Sequence, residues 1–158
     1  MIQRVQTIYL VLASLSGIMT LILPFAYFLE ADIELGEFGV FGLLNVQSNI
    51  FELRDPFKIP SWIFSVLAVV PSASAIFLYK NRSTQLKVTR LAMLLNLAFI
   101  VYLAFSIESI KGQLYGDSVS VLYYSGFYMP VIALPFLFLA IRGIKKDDAL
   151  VKSLDRIR

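Results

Sequence analysis

The sequence predicts an all-α membrane protein, an antiparallel four-transmembrane-helix bundle with a small extracytoplasmic antiparallel β-sheet. Three observations predict it: four long uncharged stretches, charge gathered into the short segments between them, and apolar alternation inside two of those segments. Hydrophobic residues are 58% of the 158, against roughly 45 to 50% in soluble domains, and mean hydropathy is +0.76. Charged residues are only 16%, too few to cover a water-facing surface.

A helix needs about 20 apolar residues to cross a hydrocarbon core roughly 30 Å thick at about 1.5 Å per residue. Val5 to Leu29 carry no charge, and the first span is expected over residues 7–29. Its apolar run exceeds a secretory signal core and no small-residue cleavage site follows it, so it reads as an anchor. The second span is expected over 59–79, bounded by Lys58 and Lys80, with Pro60 near its first turn, where a missing N–H is tolerated. The third lies between Arg90 and Glu108, extended by Val88 and Thr89 to about 89–107. The fourth is expected over 126–143, after strand-like alternation at Val119, Val121 and Tyr123.

The remaining segments are outer loops 30–58 and 108–125, an inner loop 80–88 and a tail 144–158. Eleven of the fourteen Lys and Arg fall at the N-terminus (Arg4), beside the inner loop (Lys80, Arg82, Lys87, Arg90) and in the tail (Arg142, Lys145, Lys146, Lys152, Arg156, Arg158). Eight of the eleven acids fall in the outer loops. Basic loops resist translocation, so both termini are expected in the cytoplasm. Loop 30–58 alternates through Ile33, Leu35, Phe38 and Val40 and continues over Asn45 to Phe51, which reads as short strands whose partner is expected at Val119 to Tyr124. An aromatic layer of Tyr27, Phe28, Trp62, Tyr123, Tyr124, Phe127 and Tyr128 is expected at headgroup level.

Helix contacts in a bilayer need small residues, because lipid tails supply no hydrophobic drive for association. Ala13 and Gly17 lie one turn apart, as do Ala68 and Ser72, and Asn96 is the most polar residue deep in a span. These five are the expected packing residues, with Asn96 bonding across helices. Pro71, Pro130 and Pro135 are expected to bend their helices.

With no Cys and no His, zinc fingers, iron–sulfur clusters, disulfide frameworks, thiol nucleophiles and histidine bases are excluded. Between the charges at their ends, the expected spans hold no Asp, Glu, Lys, Arg or His for a proton or ion relay. Glu30, Asp32, Glu34 and Glu37 lack the spacing of a calcium loop, and Gly36, Gly39 and Gly42 lack the Lys-Ser/Thr ending of a phosphate loop. No cofactor, metal or catalytic residue is expected, nor any enzymatic activity. The tail reads as a short amphipathic helix with Leu150, Leu154 and Ile157 on one side, Val151 beside them, and Asp148 four residues before Lys152.

The opening Met1-Ile2-Gln3-Arg4-Val5-Gln6-Thr7-Ile8-Tyr9-Leu10 and the closing stretch from Ile144 to Arg158 resemble the two ends of a small bacterial four-span membrane family of unknown function. The resemblance covers the whole length and implies an inner-membrane protein of the Bacteroidota type, with no activity or cofactor to carry over. The expected role is that of an accessory or interaction subunit of a larger membrane assembly. The tail bases, Leu150, Leu154, Ile157 and the bases Lys80, Arg82, Lys87 and Arg90 would dock an acidic cytosolic protein or the RNA of a membrane-bound machine, with no role for DNA. The rival is a small transporter or channel-like subunit, with Asn96, Ser72, Ser74 and the backbone near Pro71 and Pro130 lining a polar cavity. A membrane enzyme using the outer carboxylates ranks lowest.

Overall fold

The computed structural model describes residues 3–31, 33–44, 60–114 and 119–155. The elements in chain order are α1 (Gln3–Met19), β1 (Ala26–Glu30), β2 (Ile33–Gly39), β3 (Gly42–Leu44), α2 (Ser61–Phe77), a 3-10 turn (Leu78–Lys80), α3 (Arg82–Gln113), β4 (Val119–Tyr123) and α4 (Ser125–Asp155). Three helical segments are long and apolar enough to cross a membrane: Ser61–Lys80, Arg82–Gln113 and Ser125–Val151. Val5–Met19 is apolar but shorter.

Each helix packs on two others, α1 on α2 and α4, and α3 on α2 and α4, so the four close a ring. Neighbours run antiparallel. Gly143 near the end of α4 lies against Gln6 at the start of α1, Gly126 at the start of α4 bonds Pro24 just after α1, and Gln85 of α3 bonds Ala75 of α2.

The pattern that builds this ring is a stripe of buried positions at alternating spacings of four and three. In α1 it is Gln6, Leu10, Ala13 and Gly17, ending on Thr20, and in α2 Ser61, Ser65, Ala68, Ser72 and Ala75. In α3 it is Gln85, Thr89, Ala92, Asn96, Phe99, Leu103, Ser106 and Ile110. In α4 it is Gly126, Pro130, Ala133, Leu137, Ala140, Ile144 and Asp147. A period of 3.5 keeps one face toward its neighbours in left-handed, near-antiparallel packing. The chemistry is inverted relative to a water-soluble bundle: the stripe is mostly small or polar, while large apolar side chains such as Ile8, Leu15, Val70, Leu94, Val101 and Phe138 point outward, each at least 40% exposed.

The sheet covers the end of the ring where α1 and α3 finish and α2 and α4 begin. Its order is β3-β2-β1-β4, antiparallel throughout. Phe25, Phe28 and Phe38 are fully buried and meet Phe99, Leu103 and Ile107 of α3 in one core, with Phe25 5.6 Å from Phe38 and 6.0 Å from Phe99 between ring centroids. Two backbone bonds, Phe25 N–H to Phe38 O at 2.8 Å and Tyr124 N–H to Phe25 O at 2.9 Å, extend the ladder to the bundle.

The structure corrects several expectations. The first helix stops at Met19, and residues 26–29, expected in the span, are a strand. The absence of charge concealed a turn at Pro24, which has no N–H and disfavours helix in the residue before it. The partner of β4 is therefore β1, where loop 30–58 was expected. The third helix extends beyond both Arg90 and Glu108, because charges end an apolar run without ending a helix, and Asn81 caps it upstream by accepting from Thr84 N–H at 3.2 Å. The fourth helix passes Gly143 and includes most of the tail. The 3.5 period continues through Ile144 and Asp147, so the backbone has a packing reason to continue. Pro71, Pro130 and Pro135 lie inside helices, the positions at which the bends expected of them would fall. The expected strand at Asn45 to Phe51 lies outside the described residues.

Gly126 sets the junction of sheet and bundle. A Cβ there would fall on the backbone carbonyl oxygens of Leu23 and Pro24, which cannot move without breaking the Gly126 N–H to Pro24 O bond of 3.0 Å. At Gly17 a Cβ would meet only the Val69 Cγ2 methyl, at 2.8 Å. Gly126→Ala is expected to lose about 1 to 3 kcal/mol. Gly17→Ala should lose less, because the helix itself gains roughly 1 kcal/mol from Ala. Denaturant unfolding in detergent checks the order, and equal losses would contradict it.

Candidate functional site

The end of the bundle remote from the sheet gathers the conspicuous polar chemistry. The 3-10 turn brings α2 into Asn81, whose side chain accepts from Thr84 N–H and whose carbonyl accepts from Gln85 N–H at 2.9 Å. This reversal places Gln85 on the inner stripe, where its Nε2 donates to Ala75 O at 3.0 Å and ties α3 to α2. Arg82 Nη1 donates to Asp147 O at 2.9 Å and ties α3 to α4. Gln6 completes the layer from α1, 5% exposed, its Nε2 without a hydrogen-bond partner among the described residues. Gln6 fills the space that Gly143 leaves.

Two cavities open here. A wide cleft of about 660 Å³ is lined by Tyr79, Lys80, Asn81, Arg82, Ser83, Asp148 and Val151. Behind it, sharing Tyr79 and Arg82 as walls, is a space of about 10 Å³ lined also by Gln6, Thr7 and Gln85.

The expected docking residues divide by element. Lys80, Lys87, Arg90, Arg142, Lys145 and Lys146 are exposed, Arg82 is half-buried, and Leu150 is 46% exposed. Lys152 and Leu154 lie within α4, with side chains outside the described residues, as are Arg156, Ile157 and Arg158 altogether. The tail is no separate helix: Ile144 is fully buried and Asp147 is 6% exposed. Gln6, Gln85 and Asp147 escaped the sequence reading because polar residues beside charged ones read as solvated. Their position on the 3.5-residue stripe is the signal that finds them.

Mid-bundle polar groups return to their own helices. Ser72 Oγ donates to Ala68 O at 3.0 Å and Asn96 Nδ2 to Ala92 O at 3.1 Å, while exposed Ser74 donates to Pro71 O at 3.0 Å. The expected bond from Asn96 across helices is thus replaced by one within α3, because the carbonyl four residues back is always in reach of a short side chain. Ala13, Gly17, Ala68, Ser72 and Asn96 are all buried. Ser106 Oγ is buried with no hydrogen-bond partner among the described residues.

At the opposite end, a space of about 100 Å³ lies between residues 21–24 and the β2–β3 hairpin, lined by apolar residues and Gly39 with Glu37 as its carboxylate. The register sets Tyr27 opposite Glu37, and Tyr27 also stands edge-on to Tyr124 at 5.3 Å. Burial pushes the Tyr27 phenol above its ordinary 10.0, with further upward pressure from the charges of Glu37, Tyr124 and Glu34. Phe28, expected in an interfacial belt, is instead core. Tyr123 and Tyr128 each lie near Phe127, and Trp62 is 45% exposed.

Residues 2–157 match the family described as a domain of unknown function, DUF4293. The chain belongs to the DUF4293 family. No curated protein and no solved structure matches it. The three long apolar helices of this DUF4293 chain are compatible with a multipass membrane protein.

Two measurements probe these sites. In a carbon-13 tyrosine titration by NMR, Tyr27 should titrate above its ordinary value, and Glu37→Gln should lower it only part-way, because burial is the larger cause. Since the folded pKa lies above the unfolded one, the linked stability is complete below pH 10.0 and is lost as pH rises through the folded value. Asn96→Ala should cost no more than about 0.6 kcal/mol, the usual scale of a polar contact in membrane bundles. A loss of several times that would mean the amide bonds a neighbouring helix.

Proposed function

We propose that this DUF4293 chain is a four-span, non-enzymatic protein of a bacterial cytoplasmic membrane, with its sheet outside and its cationic end inside, acting as an accessory subunit that docks an acidic cytosolic protein. The observation that carries this reading is the segregation of charge between the two ends of one bundle. Lys80, Arg82, Lys87, Arg90, Arg142, Lys145 and Lys146 stand at one end, while Glu30, Glu34 and Glu37 lie on strands at the other. The positive-inside tendency turns that axis into an orientation.

The fourth crossing rests on α1. Its helical bonds give way to three- and four-residue turns that continue through Leu23 N–H to Met19 O. The apolar segment therefore extends over residues 5–23, roughly 27 Å at about 1.5 Å per residue, close to a bilayer core. Docking is favoured over transport because Ser72 and Asn96 at the middle of the ring bond their own helices, whereas the wide cleft and the apolar space described above lie at its two ends. Exposed bases on α4 and at the start of α3 would supply charge, and Leu150 and Val151 apolar contact.

The absence of cysteine makes orientation directly testable. In intact cells an impermeant maleimide should label Ser120→Cys on β4 and spare Ser83→Cys until the membrane is opened; the reverse pattern would overturn the orientation. For docking, changing Arg142, Lys145, Lys146 and Lys152 to Glu should leave membrane insertion intact and remove an acidic protein from mild-detergent purifications. Unchanged recovery would count against docking, and nuclease-sensitive recovery would point to RNA.

A further inference from the structure

We infer that the cleft between the α2–α3 turn and the last turns of α4 is a phospholipid site that holds the headgroup phosphodiester. Four features converge on it. First, α3 begins in the cleft wall. Of its first four N–H groups, those of Thr84 and Gln85 are taken by Asn81, leaving those of Arg82 and Ser83 at the positive end of a 32-residue helix. Second, Lys80 and Arg82 line the same cleft with one acid, Asp148. Among the described lining residues the charge is net positive, opposite in sign to a phosphodiester. Arg82 is held in place by its bond to Asp147 O, so the guanidinium is oriented before any ligand arrives.

Third, Gln6 Nε2 is a buried donor with no hydrogen-bond partner among the described residues, and Gln6 lines the small space that shares Tyr79 and Arg82 with the cleft. That space, about 10 Å³, is close to the least a single water needs. Fourth, part of the lining is apolar. Tyr79 and Val151 line the cleft at 53% and 39% exposed, and Phe77, just before, is 78% exposed. A free phosphate gains nothing from these side chains, whereas a diacyl lipid lays its chains along them. Basic clefts between spans at the headgroup level suit this chemistry.

The test uses the purified full-length chain in detergent, exchanged with dioleoyl phosphatidylglycerol or with dioleoylglycerol, which lacks the phosphate, and read by native mass spectrometry. One phosphatidylglycerol should remain bound under activation that strips dioleoylglycerol. Lys80→Gln with Arg82→Gln should weaken retention about 30-fold, from two basic groups near the headgroup. Ser83→Asp is the variant that separates binding from folding. A carboxylate in the first turn favours the helix, so helical content and thermal unfolding should hold while the lipid is lost. Equal retention of the two lipids by the unaltered chain, or unchanged retention by folded Ser83→Asp, would overturn the proposal. Displacement of the lipid by millimolar inorganic phosphate would overturn the lipid assignment in favour of a free anion.

Discussion

Close approach of four helix backbones is the constraint from which the rest of this structure follows. It calls for small side chains on one side of a helix contact, and the α2 stripe of Ser61, Ser65, Ala68, Ser72 and Ala75 consists of nothing else. Such residues contribute little by burial. They act by letting backbones and neighbouring large side chains come into contact, which is how helices associate where the surroundings are as apolar as they are. The large residues displaced from the interior then form the outer surface, and most of the hydroxyls kept inside, such as those of Ser14, Ser65, Ser72 and Thr89, bond back onto their own helices.

Both ends of the ring are closed by other means. At one end, aromatic side chains from β1 and β2 cap the helices, and a glycine lets α4 touch the chain leaving α1. At the other, Gln85 and Arg82 tie three helices through donors aimed at carbonyls of their neighbours. The two closures differ in chemistry as they differ in charge: an apolar plug beneath acidic strands, and a polar layer beneath cationic side chains. The contrast gives the molecule an axis, and the functional readings depend on that axis.

The sequence made the number of apolar segments legible because charge is a sharp marker of where a chain meets water. It marked the ends of helices poorly. Arg90, Glu108 and Arg142 end apolar runs, yet each sits inside a helix that continues, since backbone hydrogen bonding is indifferent to what the side chain prefers. Tyr27 to Leu29 failed in the opposite way: an uncharged strand was absorbed into a span, and only Pro24 signalled otherwise. The sheet was legible as alternation and its pairing was not, because strand partners depend on where helices deliver them. The exposed bases of the candidate site were legible by type. Gln6, Gln85 and Asp147 were not, because composition carries no record of which side of a helix faces inward.

The pairing of β1 with β4 joins segments far apart in the chain, as the bond from Ser120 Oγ to Leu29 O across 91 positions shows. During synthesis, the first hairpin emerges with the ladder edge of β1 bare. At about 5 to 20 residues per second, its mate arrives roughly 5 to 20 s later, after α2 and α3 have been made. The sheet therefore closes only once the intervening helical hairpin is in place and the chain has turned back. A molecule in which β4 is not in place leaves that edge of β1 unpaired, and an unpaired strand edge is a template for pairing with another chain.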